Sequence, residues 1–192
     1  MTTRQRSLDR GGNVALTREV PSLRTAVLGV DWDAGGRAEL EDALVVATLL
    51  VDAQGRVPDD EHVVFLNQLV SPDLTVAQLE RARDGDREQV EVDLPDVPPE
   101  VAAIRVVLYL DEGDGGPRRT LGQLRRCRIR VLDAAQGAEL IRSVDLAPAL
   151  GPETALVLGE LYRHSSGWKF RVVGQGWESG LRGVAADHGL PL

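Results

Sequence analysis

The residues of this chain best suited to chemistry are acidic and amide side chains whose oxygens could bind a hard cation. Asp31 and Asp33 flank a tryptophan and, because alternate residues of a strand share a face, we expect both carboxylates on one side of a strand end. Ca²⁺ takes six to eight oxygen ligands from carboxylates, carbonyls and water. The candidates for a calcium site are Asp31, Asp33, Asn67, Asp84, Asp86, Glu88 and Asp111. The alternative is that these residues are solvated acids in loops and at strand ends.

A cation inside the acidic cluster weakens the calcium prediction. Arg87 lies between Asp86 and Glu88, and a guanidinium competes directly with a metal ion for carboxylates. We therefore predict that any metal binding is weak and that it depends on the loop Asp84–Glu88 together with Asp111. We also predict that replacing Arg87 would strengthen it.

No catalytic motif accompanies these acids. The sequence has no GxSxG, HExxH or phosphate-binding Gly-Lys loop, and its three histidines, His62, His164 and His188, fall in separate predicted elements. Cys127 is expected on the apolar side of a strand, where a buried, unreactive thiol is the usual outcome. The arginines on either side would lower its pKa if the thiol were exposed. The sequence thus predicts a protein that is not an enzyme.

A basic stripe is the second feature that could carry function. Arg126, Arg128 and Arg130 alternate with apolar residues, a pattern typical of a strand with one wet and one buried face. The stripe could bind an anion or an acidic partner. It could also pair with Glu and Asp side chains of a neighbouring strand, as is common in sheets. The sequence leaves both interpretations open and identifies no ligand for this face.

The elements that must position these side chains are mostly strands. The clearest is a hairpin in which Ala155–Arg163 and an alternating strand from Trp168 flank the polar loop 164–167. We expect Trp168 to lie in the core. The continuous apolar runs Ala43–Val51 and Ile104–Leu110 predict central strands buried on both faces.

Two short helices are predicted beside the strands. A capping-box pattern that begins at Thr75 predicts a helix over Val76–Arg83, and apolar residues on one side predict another over Leu181–His188. The fold prediction is mostly β: a β-sandwich of two antiparallel sheets with a few short helices, including a C-terminal one. Residues 1–10 are predicted to be a flexible lead-in and residues 11–192 a single domain.

The composition of the chain indicates which classes of partner and which cellular compartment to expect. The 192 residues carry a net charge of −8, which opposes non-specific binding to nucleic acid. With Cys127 as the only cysteine and no apolar segment after Met1, we expect a reducing cytoplasm. No apolar run is long enough for a transmembrane helix. Association with a membrane surface and the oligomeric state are left open.

Short motifs spread over the chain indicate a resemblance to a known protein family. They are GGNVALT (11–17), VDWD (30–33), FLN (65–67), SPD (71–73), LGQ (121–123), GELYRH (159–164) and GWKFRVVGQG (167–176). Together they resemble the TerD family of bacterial tellurium-resistance and general stress-response domains. The resemblance implies a calcium-binding β-sandwich in which Asp111 matches a family aspartate and Asp84–Glu88 matches the acidic end of a family loop. Ala43 and Val45 stand where the family has aspartates and the loop is shortened, so the calcium-site motifs are degenerate.

The function predicted from these observations is a non-enzymatic, TerD-like stress-response protein. It would act in the cytoplasm as a binding or scaffold module through contacts with protein partners, with weak or lost calcium binding. The first alternative is a calcium-binding sensor, which a calcium titration would distinguish from a scaffold. The second is an enzyme built on the same scaffold, for which the sequence offers no catalytic residues.

Overall fold

The computed structural model describes residues 6–111 and 118–191, and within them the chain forms two six-stranded sheets. In spatial order, sheet 1 contains β1 (Arg6–Leu8), β10 (Ala138–Ser143), β9 (Arg126–Asp133), β3 (Thr25–Asp33), β7 (Glu88–Asp93) and β6 (Val76–Gln78). Sheet 2 contains β2 (Asn13–Val14), β12 (Gly167–Trp177), β11 (Ala155–His164), β8 (Ala103–Leu110), β4 (Leu44–Val51) and β5 (Val63–Val64). Neighbouring strands are antiparallel, except that β1 runs parallel to β10. The predicted mostly-β sandwich is confirmed.

Three short helices accompany the sheets in the described part of the chain. They are α1 (Leu16–Glu19), α2 (Ala38–Glu41) and α3 (Gly180–Asp187), of which α3 is the predicted C-terminal helix. Single 3₁₀ turns lie at Asp60–His62, Leu121–Gln123 and Ala147–Ala149. None of the described helices is long and apolar enough to cross a membrane.

The main core lies between the inner faces of the two sheets. Leu28 of β3, Leu50 of β4 and Phe170 of β12 are completely buried there. Trp168 belongs to the same core, as predicted, and its indole Nε1 donates a hydrogen bond to the Leu94 carbonyl at 3.0 Å. Every residue of β4 is buried, which confirms a strand covered on both faces. Its outward residues need a second apolar layer, and α3 provides part of it.

The helix predicted over Val76–Arg83 is wrong, because its first three residues form strand β6 at the edge of sheet 1. The Thr75 hydroxyl does not cap a helix but donates to Asp73 at 2.5 Å. Val76 is fully buried and pairs with Val92 of β7. The capping pattern alone would support a helix. A strand is favoured here instead, because it buries alternate side chains against a neighbouring strand.

The flexible lead-in predicted for residues 1–10 needs correction where the structure describes it. Arg6–Leu8 forms β1, which pairs with β10 over three residues, and Leu8 is buried in the core. The parallel pairing joins segments far apart in sequence, so local composition gave no indication of it. Residues 1–5 of the predicted lead-in lie outside the described residues.

Candidate functional site

The predicted carboxylate pair at the end of β3 lies on the outer face of sheet 1. Trp32 between them points inward and is buried, whereas Asp31 and Asp33 are half-buried on the other side. The register of β3 with β9 places Asp31 opposite Arg128 and Asp33 opposite Arg126. The acidic pair and the basic stripe, which the sequence presented as separate features, therefore share one face.

Both carboxylates of β3 already have donors. Asp31 accepts two hydrogen bonds from Arg126, at 2.8 Å from Nε and 3.3 Å from Nη2, and this pair raises the pKa of the Arg126 guanidinium. Asp33 accepts from the Gly35 backbone N–H at 2.7 Å and so closes the turn that follows the strand. One acid is therefore held by a cation and the other by its own loop.

The acidic loop Asp84–Glu88 folds back over the same face. Asp84 and Gly85 both have positive φ, 56° and 85°, which turns the chain towards β3. Asp86 then lies on Gly29 so closely that a Cβ on that glycine would come within 2.1 Å of the Asp86 carboxylate. A glycine is therefore required at this position of β3 for the Asp86 side chain to pack.

The side chain of Asp86 is almost completely buried, with 2% of it exposed. Arg130 donates to both of its oxygens, from Nε at 2.8 Å and Nη2 at 2.9 Å, in the bidentate geometry that makes such pairs strong. Gln89 Nε2 donates to it as well, at 2.7 Å. Arg130 also donates to the Asp84 carbonyl at 3.0 Å, which ties the loop to the sheet.

The network continues to the neighbouring strand β10. Arg130 Nη1 donates to Glu139 at 3.1 Å, and Arg142 donates to both oxygens of Glu139. Burial lowers the pKa of Arg130, but its hydrogen bonds with Asp86 and Glu139 outweigh burial and raise the pKa overall. Arg130 thus stays charged, and its ion pairs join the loop before β7 to strands β9 and β10.

Arg128 is different from its neighbours in the stripe. Among the described residues none accepts a hydrogen bond from its Nε, although that atom is buried. It lines a small cavity of about 50 Å³ together with Gly29, Asp31, Asp84 and Asp86. Arg128 therefore places, at the centre of the outer face of sheet 1, a guanidinium donor without an acceptor in the described part of the chain, between residues whose charges are paired.

The remaining predicted ligands are not joined to this group. Glu88 accepts from Gln78 Nε2 at 3.2 Å, Asn67 is exposed in the turn after β5, and Asp111 is exposed at the end of β8 in sheet 2. The structure brings Asp31, Asp84 and Asp86 to one cavity, but it describes no group of three or more His, Cys, Asp or Glu residues arranged to hold a metal ion.

This arrangement does not fit a calcium ion. Calcium requires six to eight free oxygen ligands, whereas Asp31 and Asp86 each give both carboxylate oxygens to an arginine. A metal ion would have to displace Arg126 or Arg130 to reach them.

The competing cation is not the one the sequence suggested. Arg87 turns away from the loop and pairs with Glu41 of α2, at 3.1 Å between Nη1 and Oε1. Arg130, forty-four residues from Asp86, takes the role expected of Arg87. The alternating arginine stripe was a usable signal for it, but the strand register that puts Arg130 against Asp86 is a tertiary property and sequence spacing does not encode it.

Comparison with known proteins gives a consistent result over nearly the whole chain. The family model described as "TerD domain" matches residues 5–188. The "Tellurium resistance protein TerD" of Serratia marcescens is 36% identical over 188 residues, which cover 96% of this chain and 97% of that protein. The "General stress protein 16U" of Bacillus subtilis is 35% identical over 194 residues, with 97% and 98% covered. The crystal structure of a homologue of telluride resistance protein (TerD) from Streptomyces coelicolor A3(2) superposes with a TM-score of 0.64 at 22% identity, covering 85% of this chain and 95% of that one.

Proposed function

Since this chain belongs to the TerD family, we propose that it is a cytoplasmic stress-response protein of the tellurium-resistance type that acts by binding other proteins. The observation that carries the proposal is the identity of about 35%, over nearly the full length of both chains, to bacterial proteins named for tellurium resistance and general stress. This identity extends across both sheets, so the whole sandwich is the unit to which the function is assigned.

A role without catalysis is supported by the state of the nucleophilic and basic side chains. Cys127 is fully buried, and burial raises the pKa of its thiol far above its ordinary value, so the thiolate is not available. His62 pairs with Asp59, and His188 is buried against the carbonyl of Val184. These groups are held by structural contacts in separate parts of the fold.

Protein binding is supported by apolar side chains that the fold leaves in solvent. Leu66, Val70 and Leu74 are exposed by 60%, 39% and 78%, and all three lie in the segment that connects β5 with β6. Isolated exposed leucines are ordinary, whereas three large exposed apolar side chains within one connecting segment favour an interaction surface there.

We further propose that this chain has weak or no calcium affinity, because Arg126 and Arg130 occupy the carboxylates that a metal ion would need. Calorimetric titration with Ca²⁺ tests this directly. No heat of binding and no rise in melting temperature are expected. Micromolar affinity with a rise in melting temperature would support a calcium sensor instead, without altering the family assignment.

A growth experiment tests the stress function. Deletion of the gene should lower growth in potassium tellurite, and the wild-type protein should restore it. The Leu66→Ser/Leu74→Ser variant should fold but fail to restore growth, whereas Gln54→Ser, a control in another exposed loop, should succeed. Unchanged tellurite tolerance in the deletion strain would overturn the assigned function. Full activity of the double variant would overturn the role of the apolar segment.

A further inference from the structure

The outer face of sheet 2 carries a second apolar cluster, separate from the core between the sheets. It is built on the outward residues of β4, including Ala47 and Leu49, and on Tyr109 of β8. Helix α3 covers this cluster through Val184, which is fully buried. One helix of eight residues is too small to cover a six-stranded sheet, so part of the cluster lies beside the helix rather than beneath it.

A cavity of about 280 Å³ opens between α3 and the sheet. Ala47, Leu49 and Tyr109 form its floor, and Leu181, Val184 and Ala185 of α3 line the opposite wall. Five of these six side chains are buried, whereas the lining residues Asp60 and Pro191 are exposed, so the space is an apolar recess with an open mouth. Cavities with such walls hold water poorly and accept apolar molecules.

The helix that covers the cavity is fixed at its C-terminal end. The His188 carbonyl accepts a hydrogen bond from the Val57 N–H at 2.9 Å, and its imidazole Nε2 accepts from Arg105 Nη1 at 2.7 Å. Trp177 Nε1 donates to Asp187 at 2.8 Å. Because β8, β12 and the loop after β4 all hold the C-terminal end of α3, the helix has a fixed position beside the cavity.

Two polar groups border the cavity and define what it would recognise. Tyr109 lines it, and burial raises the pKa of Tyr109, so the phenol stays protonated and can donate a hydrogen bond. Asp60 lies at the exposed rim, in the 3₁₀ turn before β5. No described residue forms a salt bridge with the Asp60 carboxylate or hydrogen-bonds to the Tyr109 hydroxyl. A carboxylate at the rim of an apolar recess repels anions and attracts cations.

We propose that this cavity binds a small amphiphilic amine, with its alkyl chain between α3 and sheet 2 and its ammonium group beside Asp60. At about 30 Å³ for each water-sized group, the volume accommodates roughly nine non-hydrogen atoms, which matches a linear amine of eight carbons. The net charge of −8 adds a general preference for cations over anions. Each methylene group that enters the cavity should tighten binding about fourfold.

Three probes of equal chain length test the proposal on the full chain: n-octylamine, 1-octanol and octanoate, titrated by calorimetry below their micelle concentrations. Octylamine should bind most tightly and octanoate most weakly. Hexylamine, two methylenes shorter, should bind about sixteenfold more weakly than octylamine. Asp60→Asn should reduce the affinity for octylamine to that for octanol while leaving octanol binding unchanged.

Neighbouring residues of α3 provide a matched pair of variants. Ala185 lines the cavity, whereas Ala186 faces solvent on the same helix. Ala185→Leu should fill the cavity and weaken octylamine binding at least tenfold, and Ala186→Leu should bind like the wild type. Thermal unfolding checks that both variants fold, and Ala47→Leu fills the cavity from the sheet side should Ala185→Leu fail to fold.

Three results would overturn the proposal. The first is no binding of octylamine to the wild type at millimolar concentration. The second is equal binding by the Ala185 and Ala186 variants, which would mean that the probe adsorbs elsewhere. The third is an affinity for octanoate that equals or exceeds that for octylamine.

Discussion

The outer faces of the two sheets are made stable in water in different ways. Sheet 1 carries charged side chains on this face, with Asp86 of the loop before β7 and Glu139 of β10 both paired with Arg130 of β9. Sheet 2 presents an apolar cluster that α3 covers in part. A charged face needs no further layer, because its groups are either hydrated or paired, whereas an apolar face must be covered to be stable in water.

The two faces also contribute differently to the stability of the fold. Burying apolar area is favourable in rough proportion to the area, so the sheet 2 cluster stabilises the fold directly. Buried ion pairs recover their desolvation cost only with good geometry, so the ion pairs on sheet 1 add little to the free energy of unfolding. Their main contribution is to favour one register of the strands and one position of the loop. Removing single groups from each face should therefore give different results.

The largest effect is expected from Asp86→Ala on sheet 1. This variant leaves the Arg130 guanidinium, 11% exposed, without its principal partner. Loss of one member of a buried pair costs about 3–5 kcal/mol, which for a domain of this size lowers the melting temperature by roughly 6–20 °C. Chemical denaturation measures the difference, and a loss below about 1 kcal/mol would show that the pair behaves as a surface interaction.

A double variant separates a requirement for charge from a requirement for packing. Replacing both partners with apolar residues of similar size, Asp86→Leu with Arg130→Met, leaves no unpaired buried charge. We expect this variant to recover most of the stability lost in Asp86→Ala. If it does not, the hydrogen bond from Arg130 to the loop carbonyl at Asp84 contributes more than the ion pair.

The second prediction concerns the apolar face of sheet 2. Leu49→Ala should cost about 2 kcal/mol, near the lower end for buried leucines, because Leu49 already borders a cavity and loses fewer packing contacts. The adjacent Leu50, completely buried between the sheets, is the matched control, and Leu50→Ala should cost more. Equal losses in denaturant unfolding would mean that the outer cluster is packed as closely as the core.

The sequence predicted best where local pattern and burial coincide. The strand from Trp168 and the helix α3 have apolar residues at regular intervals, and β4 is a continuous apolar run. The hairpin of β11 and β12, the buried strand β4 and the helix α3 are all confirmed. The resemblance to the TerD family rested on motifs spread over the chain, two of them in this hairpin, and the family assignment is confirmed as well.

The predictions that failed depended on pairing over long distances. The pattern T-x-x-Q that begins at Thr75 also occurs at Thr120. At Thr120 it precedes a 3₁₀ turn in which Gln123 accepts the Thr120 N–H at 3.0 Å, as a capping box requires. At Thr75 the same pattern enters β6, because β7 provides a strand partner. The geometry of the candidate site also depends on tertiary structure, because the loop Asp84–Glu88 folds over β3 and brings Asp86 to Arg130 rather than to the adjacent Arg87. The positions of Asn67 and Asp111 are set by sheet 2, and metal binding by the predicted residues stays a prediction.

The third prediction is a pH dependence that originates on sheet 2. Burial lowers the pKa of His188, and the adjacent Arg105 lowers it further, so the folded protein holds this imidazole neutral. The unfolded chain takes up the proton first as the pH falls below about 6.5. Stability is therefore intact above that pH and decreases below it, by up to about 1.4 kcal/mol per pH unit, until the pH reaches the lowered pKa.

Substitution of two histidines tests whether the pH dependence of stability comes from His188. His188→Gln should remove this component of the difference in unfolding free energy between pH 7.5 and pH 5.5. His164→Gln, in the exposed hairpin turn, should leave it in place. A decrease that persists in His188→Gln would assign the dependence to other groups.

The smallest effect is expected from Arg126→Ala, which removes the exposed ion pair of sheet 1. Arg126 is 39% exposed and Asp31 22%, so water hydrates both groups once they separate and the loss should be about 1 kcal/mol or less. Salt distinguishes this pair from the buried one. Ions screen exposed charges over a few ångströms at 1 M, so the cost of Arg126→Ala should approach zero in 1 M NaCl. The cost of Asp86→Ala should persist there, because the Arg130 guanidinium is shielded from salt by the protein around it. If both costs vanished in salt, burial would not separate the two pairs, and the charged face would act as one solvent-screened surface.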